Sequence, residues 1–542
     1  MQSAKPNFLR ASRLRAMPAI LALAVLLCTT AAPGTLRAAD KWLRLSSENF
    51  DMFSCSSERE STDMLVQLEQ FRATFFKVFQ TKSLYVQRPL IFVFDNERQY
   101  KPYMPLTKEG KTKDIGGLHM PSPLVSRFSV LNKHADDGLS TLYHEYTHAL
   151  LKAGYGSGIP LWFNEGTAVA LSTFNVFDDD VTLGKKHMNY LGLMRNTPLI
   201  PAETFLSVDY NSPYYNEEYK IGIFYGQSWL LMHRLLCSPK DAAPPGLTLS
   251  NLHKYLRLSA DPATPKDDAL RQSFGLDYKG LDDALRNYLR SNFTTLRRNV
   301  VLAKPIRDKI TCRPVTEAER DLELAALQFR SRFRQIETAA APPQFLQAAE
   351  QRPQDPRPCE LLAEWAYFTG NRAQAAEYCR KAIDLGSTNP EVYIYYLREL
   401  LWGSPQEYVL RADLCADYRA KVDRAMELAP DNMAAIEMLA WIEANSEEPR
   451  ASMLNKIYEA LPNMRDERER TLYSVAVLLW RHKDYEKAEA ALNSLLNIPG
   501  LSAAMKSSVQ TLLRRIAQET GKAPPKSSAP SKAKAKGKGK AK

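Results

Sequence analysis

Residues 141–168, TLYHEYTHALLKAGYGSGIPLWFNEGTA, constrain the fold more than any other stretch of the chain. The apolar spacing around them predicts a helix from Leu139 to Lys152. Four residues of helix advance about 6 Å and overshoot a full turn by roughly 40°. His144 and His148 therefore project from one face, one above the other, while Glu145 lies about 100° further round. The run GYGSGIP must break this helix, and Pro160 suits the first turn of a second one. Glu165 then sits on that second helix, after a glycine-rich reversal. The fold has to hold two polar helix faces together.

Two imidazoles on one face can place their nitrogens about 2.0–2.1 Å from a single zinc ion. Zinc needs a third protein ligand and keeps its fourth position for water. Glu165 is the candidate third ligand, giving a metal set of His144, His148 and Glu165. Two neutral imidazoles and one carboxylate leave the centre at net +1, electrophilic enough to bring water to a pKa of about 7. A second carboxylate would weaken that effect, so Glu145 fits better as the base that takes the water's proton. A hydrogen-bond donor for the developing oxyanion is also needed. Tyr225, in YGQSW, is the preferred position, with Tyr219 and His233 as alternatives. The chain between 210 and 225 is crowded with tyrosines, which could equally serve packing.

At these residues the sequence resembles the gluzincin, or peptidase MA-like, metallopeptidases: LYHEYTHALL is followed by PLWFNEGTAVALS. WLRLSSENFDMFS, YGQSWLLMHRLL and FGLDYKGLDDALRNYL extend the similarity to small exported gluzincin-like domains of unknown function, over about residues 41–295. The resemblance implies one Zn2+ ion held by His144, His148 and Glu165, with Glu145 as general base and acid in peptide hydrolysis. One departure concerns the GAMEN-like motif of the aminopeptidases in this superfamily. Its place is taken by GGLHM (116–120), which has no acid to capture a free amine, so endopeptidase action is expected. LVSRFSVLN (124–132) is expected as an edge strand along which an extended peptide could pair. Val169 stands where a carboxylate sometimes orients a ligand histidine, so that support must come from elsewhere.

Around this core, KWLRLSSENFDMFSC (41–55) predicts a strand pair, 62–79 a helix, RPLIFVFDN (88–96) a buried strand, and 223–236, 252–258 and 274–293 further helices. Strands followed by helices give an α+β class. From about 345 the chain is helix after helix, with small residues at Ala375, Ala382 and Ala488 and stops at LAPDN and Pro499-Gly500. Three imperfect units resemble tetratricopeptide (TPR) repeats, interrupted by an insert at 398–420, with a plain helical bundle as the alternative. The expected fold class is thus an α+β zincin-like domain followed by an all-α helical-repeat domain. The expected boundaries are 40–300 for the first, 301–344 for a helical linker and 345–520 for the repeats.

The ends read differently. KPNFLRASRLR, AILALAVLLC and the small residues to Ala39 form a secretory signal over 1–39, so export to a periplasmic or extracellular compartment is expected, without a transmembrane anchor once the signal is removed. Residues 521–542 are a low-complexity, lysine-rich tail. The net charge of +11 comes from these ends, which carry thirteen basic residues and no acid; the body between them is slightly acidic. A basic face for nucleic acid is therefore not implied. The six cysteines after the signal form no CxxC pair, which argues against a zinc knuckle. No paired-carboxylate pattern points to polysaccharide chemistry. The expected partners are a peptide or protein substrate and a protein docked on the repeats. The alternative function is a catalytically silent zinc-binding domain in a repeat-based scaffold.

Overall fold

The computed structural model describes residues 41–522, apart from 82–84, 108, 114, 133–134, 178–179, 239–242, 300–302, 334–339, 402–408, 451 and 499. The expected signal and nearly all of the lysine-rich tail lie outside the described residues. From Trp42 onward the described residues form one compact unit. It is mixed α/β, with a small sheet in the N-terminal part and a helical C-terminal region.

Among the described residues the main sheet has six strands. In chain order they are β1 (Leu43–Ser46), β2 (Asp51–Ser54), β3 (Leu90–Phe94), β4 (Gly117–Met120), β5 (Arg127–Leu131) and a final strand at Thr311–Pro314. Their spatial order is β4, β5, β3, β2, β1 and then Thr311–Pro314. β2, β3 and β5 are parallel, and the helix Glu58–Phe79 makes the crossover from β2 to β3. β3 reads LIFVF with all five residues buried, as a central strand covered on both faces must. Ile91 and Val93 face the core that contains Leu65, Leu68, Phe71 and the helix Ala135–Tyr155. Phe92 and Phe94 face the opposite side, where Tyr100, Met104 and Leu327 of the helix Glu317–Arg332 close over them. A second, three-stranded sheet joins Asn175–Phe177, Asp180–Leu183 and Leu296–Asn299.

Two expectations are corrected. Residues 301–344 are not a purely helical linker, because Thr311–Pro314 pairs antiparallel with β1 and finishes the main sheet. A proline is tolerated there because an edge strand leaves one side of its ladder unused. The segment 124–132 is not an edge either: β5 lies between β3 and β4, and β4, from GGLHM, is the edge next to the helix Ala135–Tyr155.

The helix Leu161–Leu171 is buried almost all round, as its apolar composition requires. It packs closely on the helix Glu218–Cys237, and Gly166 is the contact point. A Cβ there would lie 2.3 Å from the Ser228 carbonyl oxygen and 2.6 Å from its carbon. Only a residue without a side chain allows this approach. Gly166→Ala is expected to push the helices apart at a cost of about 1–3 kcal/mol and to displace Glu165. A urea titration and a zinc titration of the variant check both effects.

Beyond Pro343 the chain forms helical pairs, among them Pro356–Phe368 with Arg372–Asp384 and Arg468–Arg481 with Tyr485–Leu496. Ala375, Ala382 and Ala488 are fully buried between them, where small side chains let the helices approach. No helix among the described residues is long and apolar enough to cross a membrane.

Candidate metal centre

The helix Ala135–Tyr155 turns Leu142, Tyr143, Tyr146, Leu150 and Leu151 into the core and leaves His144, Glu145 and His148 on its half-buried side. It ends at Gly156, whose φ of +84° and N–H to the Lys152 carbonyl (2.8 Å) make a left-handed cap. The chain reverses through Pro160 into the helix Leu161–Leu171 and brings Glu165 back against both histidines. The three ligand atoms form a compact triangle. His144 Nε2 and His148 Nε2 are 3.3 Å apart, and Glu165 Oε2 is 3.6 Å from each. Ligands about 2.0–2.2 Å from a tetrahedral ion stand roughly 3.3–3.6 Å from one another, so one ion fits between them.

The polar atoms around the triangle support the same reading. Glu165 is only 4% exposed. Its Oε1 accepts from the Tyr215 hydroxyl (3.2 Å), but its buried Oε2, aimed at the imidazoles, has no hydrogen-bond partner among the described residues. A buried carboxylate oxygen of that kind is costly unless a cation meets it. Burial raises the Glu165 carboxyl above its ordinary range, against the opposing influence of His148 and the two tyrosine hydroxyls. Burial, with the neighbouring His148, pushes His144 down to about 4, so its imidazole is neutral near pH 7, the form a metal ligand needs. Two nitrogens and one carboxylate oxygen form a donor set suited to zinc.

His148 is oriented from within the motif. Its Nδ1 lies 2.9 Å from Asn164 Oδ1, so Nδ1 carries the proton and Nε2 presents a lone pair to the triangle. Asn164 supplies the support that Val169 cannot: Val169 is buried in the core. Asn164→Ala is expected to weaken zinc affinity about 10–100-fold, measurable by competition with a chromophoric chelator.

Glu145 stands beside the triangle and is held by a residue that the motif does not contain. His119 Nδ1 donates to Glu145 Oε2 (3.2 Å), and Ser126 Oγ donates to His119 Nε2 (2.9 Å). The carboxylate can only accept, which fixes this tautomer. The His119 ring stacks on Phe128 at 4.3 Å. Burial alone would raise the Glu145 carboxyl, but the His119 hydrogen bond and the surrounding imidazoles outweigh it and hold the group below its ordinary value. GGLHM thus contributes a histidine at the place where an acid was sought.

The proposed oxyanion donors separate clearly. Tyr225 lies at the site: its ring stacks on Tyr215 at 6.3 Å, and its hydroxyl interacts with Tyr215 and Glu165. Burial pushes the Tyr215 phenol up to about 12, with the Glu165 charge adding to the shift, and moves Tyr225 in the same direction. Both phenols stay protonated donors. Tyr219 is 77% exposed and leans on Lys220. His233 is buried in the core, its Nε2 on the Gly184 carbonyl and its Nδ1 on the Tyr288 hydroxyl, each at 2.7 Å. Neither is placed to assist. Tyr215 escaped notice because nothing distinguishes it from its neighbouring tyrosines in the sequence.

No protein-family model matches the chain, and no curated protein matches it.

Proposed function

We propose that this chain is an exported zinc metallopeptidase of the gluzincin type, with endopeptidase action and a TPR-like C-terminal region. The observation that carries the reading is the triangle of His144, His148 and Glu165, with the unpartnered Glu165 oxygen facing both imidazoles and Glu145 beside it. Bound zinc would supply a Lewis acid that polarises a peptide carbonyl and lowers the pKa of water. His144 and His148, through Nε2, and Glu165, through Oε2, would hold the ion. Glu145, ionised and held at Oε2 by His119, takes a proton from the attacking water and later delivers it to the leaving amine nitrogen. The Tyr225 hydroxyl, protonated and beside Glu165, donates to the oxygen on which negative charge develops.

The test is digestion of an unbiased peptide library by purified protein, before chelation, after it, and after zinc is restored. Internal cleavage that disappears with chelation and returns with zinc is expected. Stoichiometric zinc with no cleavage of any peptide would instead favour the silent, zinc-stabilised scaffold. Cleavage indifferent to chelation would contradict both.

A further inference from the structure

The metal centre opens onto a cleft of about 420 Å³ whose walls come from both parts of the chain. His119, Ser126, His148 and Lys152 lie on one side, and the segments 431–434 and 463–467 of the helical region on the other. Tyr85, Val86, Gln87 and Asp431 also line a second, adjoining cavity of about 800 Å³ along the same seam. Two adjoining hollows along one seam suit an extended chain better than a compact ligand.

The helical wall is fixed in place. Arg465 Nε donates to the Gly154 carbonyl (2.7 Å), and the Ser157 N–H and hydroxyl donate to the two Asp466 oxygens (2.8 and 2.6 Å). Gly156 allows this seating, because a Cβ there would lie 2.9 Å from Asp466 Oδ1. The other segment is tied through Glu391, which accepts from the Tyr85 hydroxyl (2.8 Å) and the Asn432 amide (3.1 Å). The turn after the HExxH helix and the helical region therefore form one edge of the cleft.

These bonds go to neutral groups, so Arg465 and Asp466 keep their charges. The Asp431 carboxylate holds no hydrogen bond or ion pair among the described residues, and the Glu467 carboxylate meets its own backbone N–H. Arg398 and Arg470, the cations acting on Glu467, are both paired with Glu437. Lys152 stands on the opposite wall, also without an acidic partner among the described residues. Asp431, Asp466 and Glu467 against Arg465 leave the cleft negative on its helical side.

Resting on the peptidase reading, we propose that segments 431–434 and 463–467 are the specificity wall of this cleft, and that they select an extended polypeptide segment with a lysine or arginine side chain set against Asp431 and Glu467. The helical region then acts within the substrate site itself.

The test measures binding, so that it stands apart from turnover. Full-length, zinc-loaded Glu145→Gln protein is titrated into two fluorescent ten-residue peptides, one alternating alanine with lysine and the other alanine with glutamate, and anisotropy is followed. The lysine peptide is expected to bind about ten-fold more tightly at low salt, with the gap narrowing as salt rises. Adding Asp431→Asn and Glu467→Gln is expected to bring the two peptides within about three-fold of each other, with zinc content and melting curve unchanged. Equal binding of the two peptides, or a lysine preference that survives the double substitution, overturns the proposal. If the preference appears and is erased while wild-type protein cleaves no peptide, the hydrolytic reading fails and this one stands.

Discussion

Glu145→Gln is expected to keep one zinc per chain and to lose peptide cleavage by roughly 10²–10⁴-fold in kcat. The substitution preserves shape and changes one property, the ability to take a proton. Glu145 is outside the ligand triangle, so His144, His148 and Glu165 keep their positions. The His119 Nδ1–H that now donates to Glu145 Oε2 can donate equally to the glutamine carbonyl, and Ser126 continues to hold the far side of His119. Nothing in the packing calls for rearrangement. The loss corresponds to about 3–5 kcal/mol of transition-state stabilisation, read from single-turnover cleavage of a library-derived peptide beside a zinc assay on the same sample. A variant that retains more than about a tenth of the wild-type rate would remove Glu145 from the mechanism.

Glu364→Gln is expected to destabilise the protein by about 3–5 kcal/mol, because it breaks a buried ion pair from one side only. Arg127, on β5, is fully buried, and its Nη1 donates to both oxygens of Glu364 at 2.7 Å. Glu364 belongs to the helix Pro356–Phe368, so the pair joins the sheet to the helical region. Arg330 reaches the same carboxylate at 3.5 Å while stacked on Phe368. Without the carboxylate's charge, two buried guanidiniums face each other uncompensated. The combined change Arg127→Met with Glu364→Leu is expected to recover only part of the loss, since it removes both sides of this pair but leaves Arg330 without its carboxylate. Urea unfolding of the single and combined variants gives the comparison. A single variant as stable as wild type would mean that this contact does not hold the two parts together.

The convergence of His144, His148 and Glu165 was legible because it is local. Helix periodicity aligns His144 with His148, and one glycine-rich reversal returns Glu165. The residues that orient it were less so. Asn164 carried a signal in its place beside Glu165, but His119 is 26 residues upstream of Glu145 in a four-residue strand, with no period to connect them. Strand order was hidden for the same reason: periodicity marks β5 as a strand without saying that β4 covers its edge. Thr311–Pro314 is short, largely exposed and ends in proline, so it offers no pattern against which to recognise a sheet edge. In the helical region the apolar spacing revealed the helices. Their seating on the metal side depends on Arg465 and Asp466, which read as ordinary surface charges until the Gly154–Ser157 turn is brought against them.

The central claim is that His144, His148 and Glu165 together hold one metal ion. Its most direct measurement is the zinc content per chain of wild-type protein and of Glu165→Ala, determined by mass spectrometry after both are equilibrated with the same buffered zinc. One zinc in the wild type and a near-complete loss in the variant is the predicted result. A wild type without zinc, or a variant that keeps it fully, would contradict the claim.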